Sequence, residues 1–251
     1  MKKTVVHLPQ GKFQKKLKFA LVSDLHGQSP DEVLAMLRDE APSYILMPGD
    51  IFERLDGKDN ATHANAFQLL REAAKIAPTF YCTGNHEDGG TRSWSVRWRL
   101  EVMERQYDAS DLQRIADTGV QFLGDNFVLC DGIAFGGLYS GLINEGRLPD
   151  LSWLDEFCKV DAPRVLLCHH PEYYAKYLKE YPIDLIVSGH AHGGQWRVFG
   201  RGVFAPGQGL FPKYTAGVHD GRLVVSTGLK KSGTIPRIFN EPEVVFMNMG
   251  S

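Results

Sequence analysis

The chain has 251 residues, 43% hydrophobic and 23% charged, which supplies a sizeable core and excludes a disordered or fibrous class. A formal net charge of −2 gives no specific signal for nucleic acid. The cysteines, Cys82, Cys130, Cys158 and Cys168, lack C-x-x-C spacing and read as buried free thiols of a reducing compartment, not as metal ligands.

Residues 1–16 read as an arm or edge strand. Lys2, Lys3, Lys12, Lys15, Lys16 and Lys18 make it basic, which fits a solvated edge or a weak contact with an anionic membrane surface. No apolar segment follows Lys3, and no stretch approaches the roughly 20 apolar residues of a membrane span, so a cytoplasmic location is expected. The first core strand, 17–22, runs into Ser23-Asp24-Leu25-His26. Pro30 and Asp31 then open a helix over 31–40, with Val33, Leu34 and Leu37 on one face. A second strand, 44–47, runs into Pro48-Gly49-Asp50. After the polar turn Asp56-Gly57-Lys58-Asp59-Asn60, a helix over 61–76 turns Ala66, Leu69, Leu70 and Ala73 to the core. The third strand, 79–82, leads to Gly84-Asn85-His86-Glu87.

Residues 88–117 hold Arg92, Trp94, Trp98 and several further arginines, then a helical pattern that ends near Gly119. The segment reads as an amphipathic helix with surface arginines, or as a flap that brings Arg92 to an anionic substrate. From Val120 the pattern becomes β-like over 120–123, 126–130 and 133–138, with Asp131-Gly132 as a hairpin turn, and marks the passage from a first sheet to a second. A short helix over 151–158 precedes the strand 165–168, which runs into His169-His170-Pro171. Pro171 opens another helix. The strand 183–187 runs into Ser188-Gly189-His190-Ala191-His192-Gly193-Gly194-Gln195. The remainder is glycine-rich and β-like, with strands at 223–226 and 244–247. No repeat or linker divides the chain, so a single domain over 1–251 is expected.

Five strand candidates thus end in residues able to hold a metal, and open α/β sheets gather ligands at the carboxyl ends of their strands. Asp24, His26, Asp50, Asn85, His169, His190 and His192 offer oxygen and imidazole donors with no thiolate, a set that suits Mn, Fe, Zn or Co over a structural zinc. The set is too large for one tetrahedral ion. It suits two divalent or trivalent ions with a shared carboxylate. Such ions lie roughly 3.5–4 Å apart, clamp the attacking and leaving oxygens of a phosphoryl displacement, and acidify water.

The blocks Asp24-Leu25-His26, Gly49-Asp50, Gly84-Asn85-His86-Glu87, His169 and Gly189-His190-Ala191-His192 stand in the order D-x-H, G-D, G-N-H-[DE], H, G-H-x-H. In this the sequence resembles the calcineurin-like metallophosphoesterases. The run from Gly193-Gly194-Gln195 through 205–214 looks like the bacterial YkuE-type members, and the likeness extends nearly to the C-terminus. The resemblance implies a four-layer αββα sandwich, two mixed β-sheets flanked by helices. It implies that Asp24, His26 and His192 hold one metal, that Asn85, His169 and His190 hold a second, and that Asp50 bridges. His86 would bind no metal. It would face the substrate phosphate beside Asn85, stabilise developing charge and protonate the leaving oxygen. Glu87 would orient a neighbour. His170 reads as a local histidine, and His7, His63 and His219 as surface histidines.

The expected activity is a dinuclear metal-dependent phosphohydrolase that cleaves a small phosphodiester or phosphomonoester by attack of a metal-bridging hydroxide. One alternative is a pyrophosphatase for a lipid- or nucleotide-linked substrate, with the basic arm and Trp94, Trp98, Phe204 and Phe211 forming an apolar mouth. The other is a non-catalytic scaffold, against which the complete ligand set argues.

Overall fold

Successive side chains of a strand point to opposite faces, and the central strands of this chain are apolar on both. The computed structural model describes residues 1–55, 60–88, 107–140, 149–231 and 236–250. In chain order its elements begin with β1 (Lys2–Leu8), β2 (Leu17–Leu21), α1 (Asp31–Glu40), β3 (Tyr44–Pro48), α2 (Ala61–Ile76), β4 (Thr79–Cys82), α3 (Ala109–Ala116) and β5 (Gln121–Phe122). They continue with β6 (Asn126–Cys130), β7 (Ile133–Gly137), α4 (Leu154–Lys159), β8 (Arg164–Leu167) and β9 (Leu185–Ser188). Four two-residue strands follow, β10 (Arg197–Val198), β11 (Arg201–Gly202), β12 (Phe204–Ala205) and β13 (Gly209–Leu210), then β14 (Gly217–His219), β15 (Leu223–Val225) and β16 (Glu243–Met249).

Two six-stranded mixed sheets result, in the orders β1-β16-β2-β3-β4-β5 and β14-β15-β9-β8-β7-β6. Strand alternation builds three cores from them. Phe19, Leu46, Phe80 and Met247 of the first sheet meet Phe135, Leu167, Val187 and Val224 of the second in the layer between the sheets. The intervening residues Ala20, Ile45, Tyr81 and Phe246 pack on α1 and α2. Leu166, Ile186 and Val225 pack outward on α4 and on a π-helical turn at Tyr174–Leu178. This is the four-layer αββα sandwich expected from the sequence. Phe80 and Phe135 stack across the interlayer core with centroids 3.8 Å apart.

Within the first sheet β2, β3 and β4 run parallel, and within the second β7, β8 and β9 do so. The carboxyl ends of each set therefore open at one edge of their sheet. The Asp131-Gly132 turn joins β6 to β7, with φ of 49° and 76° at its two residues.

Some local expectations shift. The helix expected after Pro171 is reduced to the π-helical turn, and α4 begins at Leu154. Cys82 and Cys168 are buried, whereas Cys130 and Cys158 are only partly so. His63 is not a surface residue. It is 3% exposed, on the inner face of α2 against Phe52, with its Nε2 at the Arg54 carbonyl. The polar turn expected at 56–60 and the arginine-containing segment with Arg92 fall largely or wholly outside the described residues. Among the described residues no helix is long and apolar enough to cross a membrane.

Candidate metal centre

The seven candidate ligands converge where the two sheets face each other. Side-chain donors of Asp24, His26 and His192 form one group within 4.8 Å, and those of Asp50, His169 and His190 form another. Asp50 lies toward both: its Oδ2 is 3.7 Å from His26 Nε2 and 3.2 Å from His169 Nε2. Asn85 Oδ1 completes the second group, 3.1 Å from His169 Nε2 and 2.8 Å from His190 Nδ1. His86 sits at the rim, partly exposed, with its ring edge-on to His26 at 4.4 Å.

The backbone at this centre is unusual. Asp24, His26, Asp50, His190 and His192 all have left-handed φ, between 44° and 63°. Non-glycine residues rarely adopt that conformation, and its clustering marks a functional turn. Neighbouring glycines make room for the two carboxylates. A Cβ on Gly84 would lie 2.2 Å from Asp50 Oδ1, and one on Gly189 would lie 2.3 Å from Asp24 Oδ2.

Fixed hydrogen bonds set the donors. Asp24 Oδ1 accepts from the His190 backbone N–H at 3.0 Å, and Asp50 Oδ1 accepts from that of His86 at 2.9 Å. His169 Nδ1 is 2.7 Å from the Pro48 carbonyl, so Nδ1–H donates there and Nε2 faces Asn85 and Asp50. His86 Nδ1 is held likewise by the Glu53 carbonyl at 2.9 Å, which leaves Nε2 for chemistry. Glu87 organises the turn from below. Its buried carboxylate accepts from the N–H groups of Asp50, Phe52 and Gly84 and from the Tyr81 hydroxyl. Burial and the charge of Asp50 push Glu87 up to about 7, against the hydrogen bonds it accepts.

The electrostatics suit a cation. Burial lowers the pKa of His26, His190 and His192, so these rings are neutral and carry a lone pair for coordination. Burial opposes the charge on Asp50, but the neighbouring His169 outweighs it and holds the carboxyl well below its ordinary range. Burial also opposes a charged His169, yet Asp50 raises it to about 10. Both ring nitrogens of His26 are buried without a hydrogen bond, although Glu53 Oε2 lies 3.0 Å from Nδ1. Buried polar atoms seldom go unsatisfied. A buried imidazole Nε2 with no hydrogen bond, facing the ionised Asp50, fits a bound metal.

All seven predicted ligands and His86 are thus brought together, while Arg92 lies outside the described residues. Three neighbours escape sequence reasoning. Glu53 faces His26. Glu172 is grouped with His170 and His190 within 4.8 Å, and Arg237 Nη2 lies 3.3 Å from His192 Nδ1. Glu53 and Glu172 carry the same local signal, each three residues beyond a predicted ligand, Asp50 and His169. Arg237 is 45 residues from His192 and only the fold pairs them.

The sequence pattern of the calcineurin-like phosphoesterases matches residues 17–194, which span every candidate ligand and well over half of the chain. The chain belongs to the calcineurin-like phosphoesterase family. That family comprises metal-dependent phosphoester hydrolases. The chain is similar to a transmembrane protein with metallophosphoesterase domain from Bos taurus, 27% identical over 189 residues that cover 71% of this chain and 41% of that protein. It is also similar to the phosphodiesterase YaeI of Escherichia coli strain K12, 27% identical over 172 residues covering 66% of this chain and 55% of that one. The uncharacterized metallophosphoesterase YkuE of Bacillus subtilis strain 168 is 25% identical over 230 residues, 87% of this chain and 72% of its own length. The chain spans about half the length of the first two relatives. The likeness to YkuE-type members read from the sequence is borne out at this low identity.

Proposed function

We propose that the chain hydrolyses a small phosphodiester or phosphomonoester at a two-metal centre. The carrying observation is the position of Asp50, whose carboxylate lies between two donor groups, with His26 on one side and His169 on the other. On this reading Asp24, His26 and His192 hold one ion and Asn85, His169 and His190 hold the other, with Asp50 common to both. When bound, the ions supply Lewis acidity to the phosphoryl oxygens and acidify water. Mn, Fe, Zn and Co all suit the donors.

The chain's own residues supply the rest. His86, anchored through Nδ1 on the Glu53 carbonyl, delivers a proton from Nε2 to the leaving oxygen. The Asn85 amide orients the phosphate beside it. The glycines at 84 and 189 keep both carboxylates in place, so the donors are arranged before substrate arrives. The test is hydrolysis of bis-p-nitrophenyl phosphate and p-nitrophenyl phosphate by metal-stripped protein, with Mn, Zn, Fe or Mg added back. Restored cleavage that His86→Ala and Asp50→Asn both abolish supports the reading, and the ratio of diester to monoester rates defines the preference. Tight metal binding with no turnover of either ester overturns it.

A further inference from the structure

The four most exposed large apolar side chains among the described residues are Phe199, Phe239, Phe211 and Leu210, at 102%, 89%, 77% and 72%. All four stand on one lobe. Its parts are the β10–β11 hairpin, the β12–β13 hairpin and the segment 236–240, joined by hydrogen bonds from Val203 N to Trp196 O, Phe211 N to Val203 O, and Arg197 N to Ile238 O. Phe199, Phe211 and Phe239 each have left-handed φ, 49°, 50° and 52°. That conformation is unfavourable for a bulky residue, and these exposed side chains have no packing to offset it. Strain retained at exposed positions points to a role outside the fold.

The charge of the lobe is equally one-sided. The chain as a whole carries slightly more acidic than basic residues. Between Asp184 and Asp220 there is no carboxylate, while Arg197, Arg201 and Lys213 fall in that stretch, and Arg201 and Lys213 are exposed. Between Asp220 and Glu241 there is again none, but Lys230 and Lys231 pair with Glu53 and Glu32 and Arg237 turns in to His192, so the lobe's exposed basic charge is that of Arg201 and Lys213. Phe199 and Phe211 each have an exposed basic residue two positions on, Arg201 and Lys213, while Phe239 stands between Arg237 and Glu241.

We infer that this lobe is a docking surface for an anionic lipid bilayer. Phenylalanine and leucine tips enter the boundary between headgroups and acyl chains, and the basic residues meet the anionic headgroups. Neither part suffices alone, since surface binding scales with buried apolar area plus attraction to anionic lipid. The lobe is also built onto the candidate centre. Arg197 Nη1 donates to the Gly193 carbonyl at 3.0 Å, and Asn240 Nδ2 donates to the His192 carbonyl at 2.7 Å. A docked lobe brings the centre to the headgroup level, where the substrate would be a phosphate ester projecting from lipid; this last step rests on the hydrolase reading.

Flotation of the full chain with vesicles tests the surface. The protein floats at low salt with equal parts phosphatidylcholine and phosphatidylglycerol, comes off at high salt, and stays behind with phosphatidylcholine alone. Combined Phe199→Ser, Phe211→Ser and Phe239→Ser lowers partitioning about tenfold or more, with the melting temperature and turnover of soluble bis-p-nitrophenyl phosphate unchanged. Asp50→Asn, which removes hydrolysis, floats like the parent, so the docking surface and the hydrolase reading fail separately. Absence of flotation at low salt overturns the inference, as does flotation that the triple variant retains. A dimer that the triple variant breaks apart also overturns it and assigns the lobe to a second copy of the chain.

Discussion

The two sheets contribute unequally to the candidate centre. The turns after β2, β3 and β4 bring both carboxylates, Asp24 and Asp50, with Asn85, His86 and one imidazole ligand, His26. The turns after β8 and β9 bring imidazoles alone, His169, His190 and His192. The negative charge that attracts a cation thus belongs to one sheet, and most of the ring nitrogens belong to the other. Neither half is a competent site by itself. Their junction rests on a few cross-sheet contacts: the His190 N–H on Asp24, the His169 ring beside Asp50, and the Pro48 carbonyl on His169 Nδ1. A site divided in this way is assembled only when the interlayer core packs.

The largest effect comes from the carboxylate at the junction. Asp50→Asn removes the negative charge shared by both halves, and we expect kcat with a diester to fall at least ~10³-fold. Metal content after dialysis falls with it, and a variant that keeps its full metal complement would argue against a shared ligand. Next is the interlayer core itself. Phe135→Ala removes the ring that stacks on Phe80 and packs beside Tyr44, and should lower unfolding stability by about 3–5 kcal/mol. Metal affinity should drop alongside stability in denaturant titrations with and without metal. Unchanged affinity would mean that the halves align without tight packing between them.

Legibility follows the same division. The turns after β2, β3, β4, β8 and β9 were readable because each is local: an apolar run of four or five residues followed at once by a donor. These continuous apolar runs, without alternation, are also the mark of strands buried on both faces. His63 was readable in principle, since it lies three, four and seven residues before Ala66, Phe67 and Leu70 on the inner face of α2. Its polarity hid that helical spacing. The insertion of β16 between β1 and β2 was not readable, because the apolar run at 244–247 says nothing about which strand it pairs with. Arg237 was hidden for the same reason, since it meets His192 only through a long return of the chain, whereas Glu172 lies two residues beyond His170 and only its approach to His190 needs the fold.

Glu172 sharpens the comparison on the imidazole side. It is 5% exposed, both carboxylate oxygens lack a hydrogen bond, and His170 Nδ1 lies 3.5 Å from Oε1. Burial opposes its charge, but the neighbouring His170 holds its pKa down, to about 2. A buried anion against His190 gives the second sheet the negative charge that its ligands lack. Glu172→Gln keeps the shape and removes the charge. Metal affinity measured by competition with a chromophoric chelator should weaken about 10–100-fold, with the melting temperature of the metal-free protein little changed. A melting temperature that falls while affinity holds would make Glu172 a packing residue only.

The smallest effect lies where the chain crosses from one sheet to the other. Asp125 sits between β5 and β6, and its carboxylate accepts from the backbone N–H groups of Tyr139 at 2.9 Å and Asp150 at 3.4 Å. Burial raises its pKa from 3.8 to about 6 despite those hydrogen bonds. For an acid whose folded pKa is raised, the folded state binds the proton more tightly than the unfolded state. Its contribution to stability is therefore greatest at low pH and declines as pH rises from about 4 to about 6, then levels off. Asp125→Asn should flatten that part of the pH profile, because the amide mimics the protonated acid at every pH. Melting temperatures of parent and variant should converge near pH 4 and separate above pH 6, with the variant higher. Parallel profiles would show that the crossing segment tolerates the charge as well as solvent does, and that the seam between the sheets is wetter there than at the metal centre.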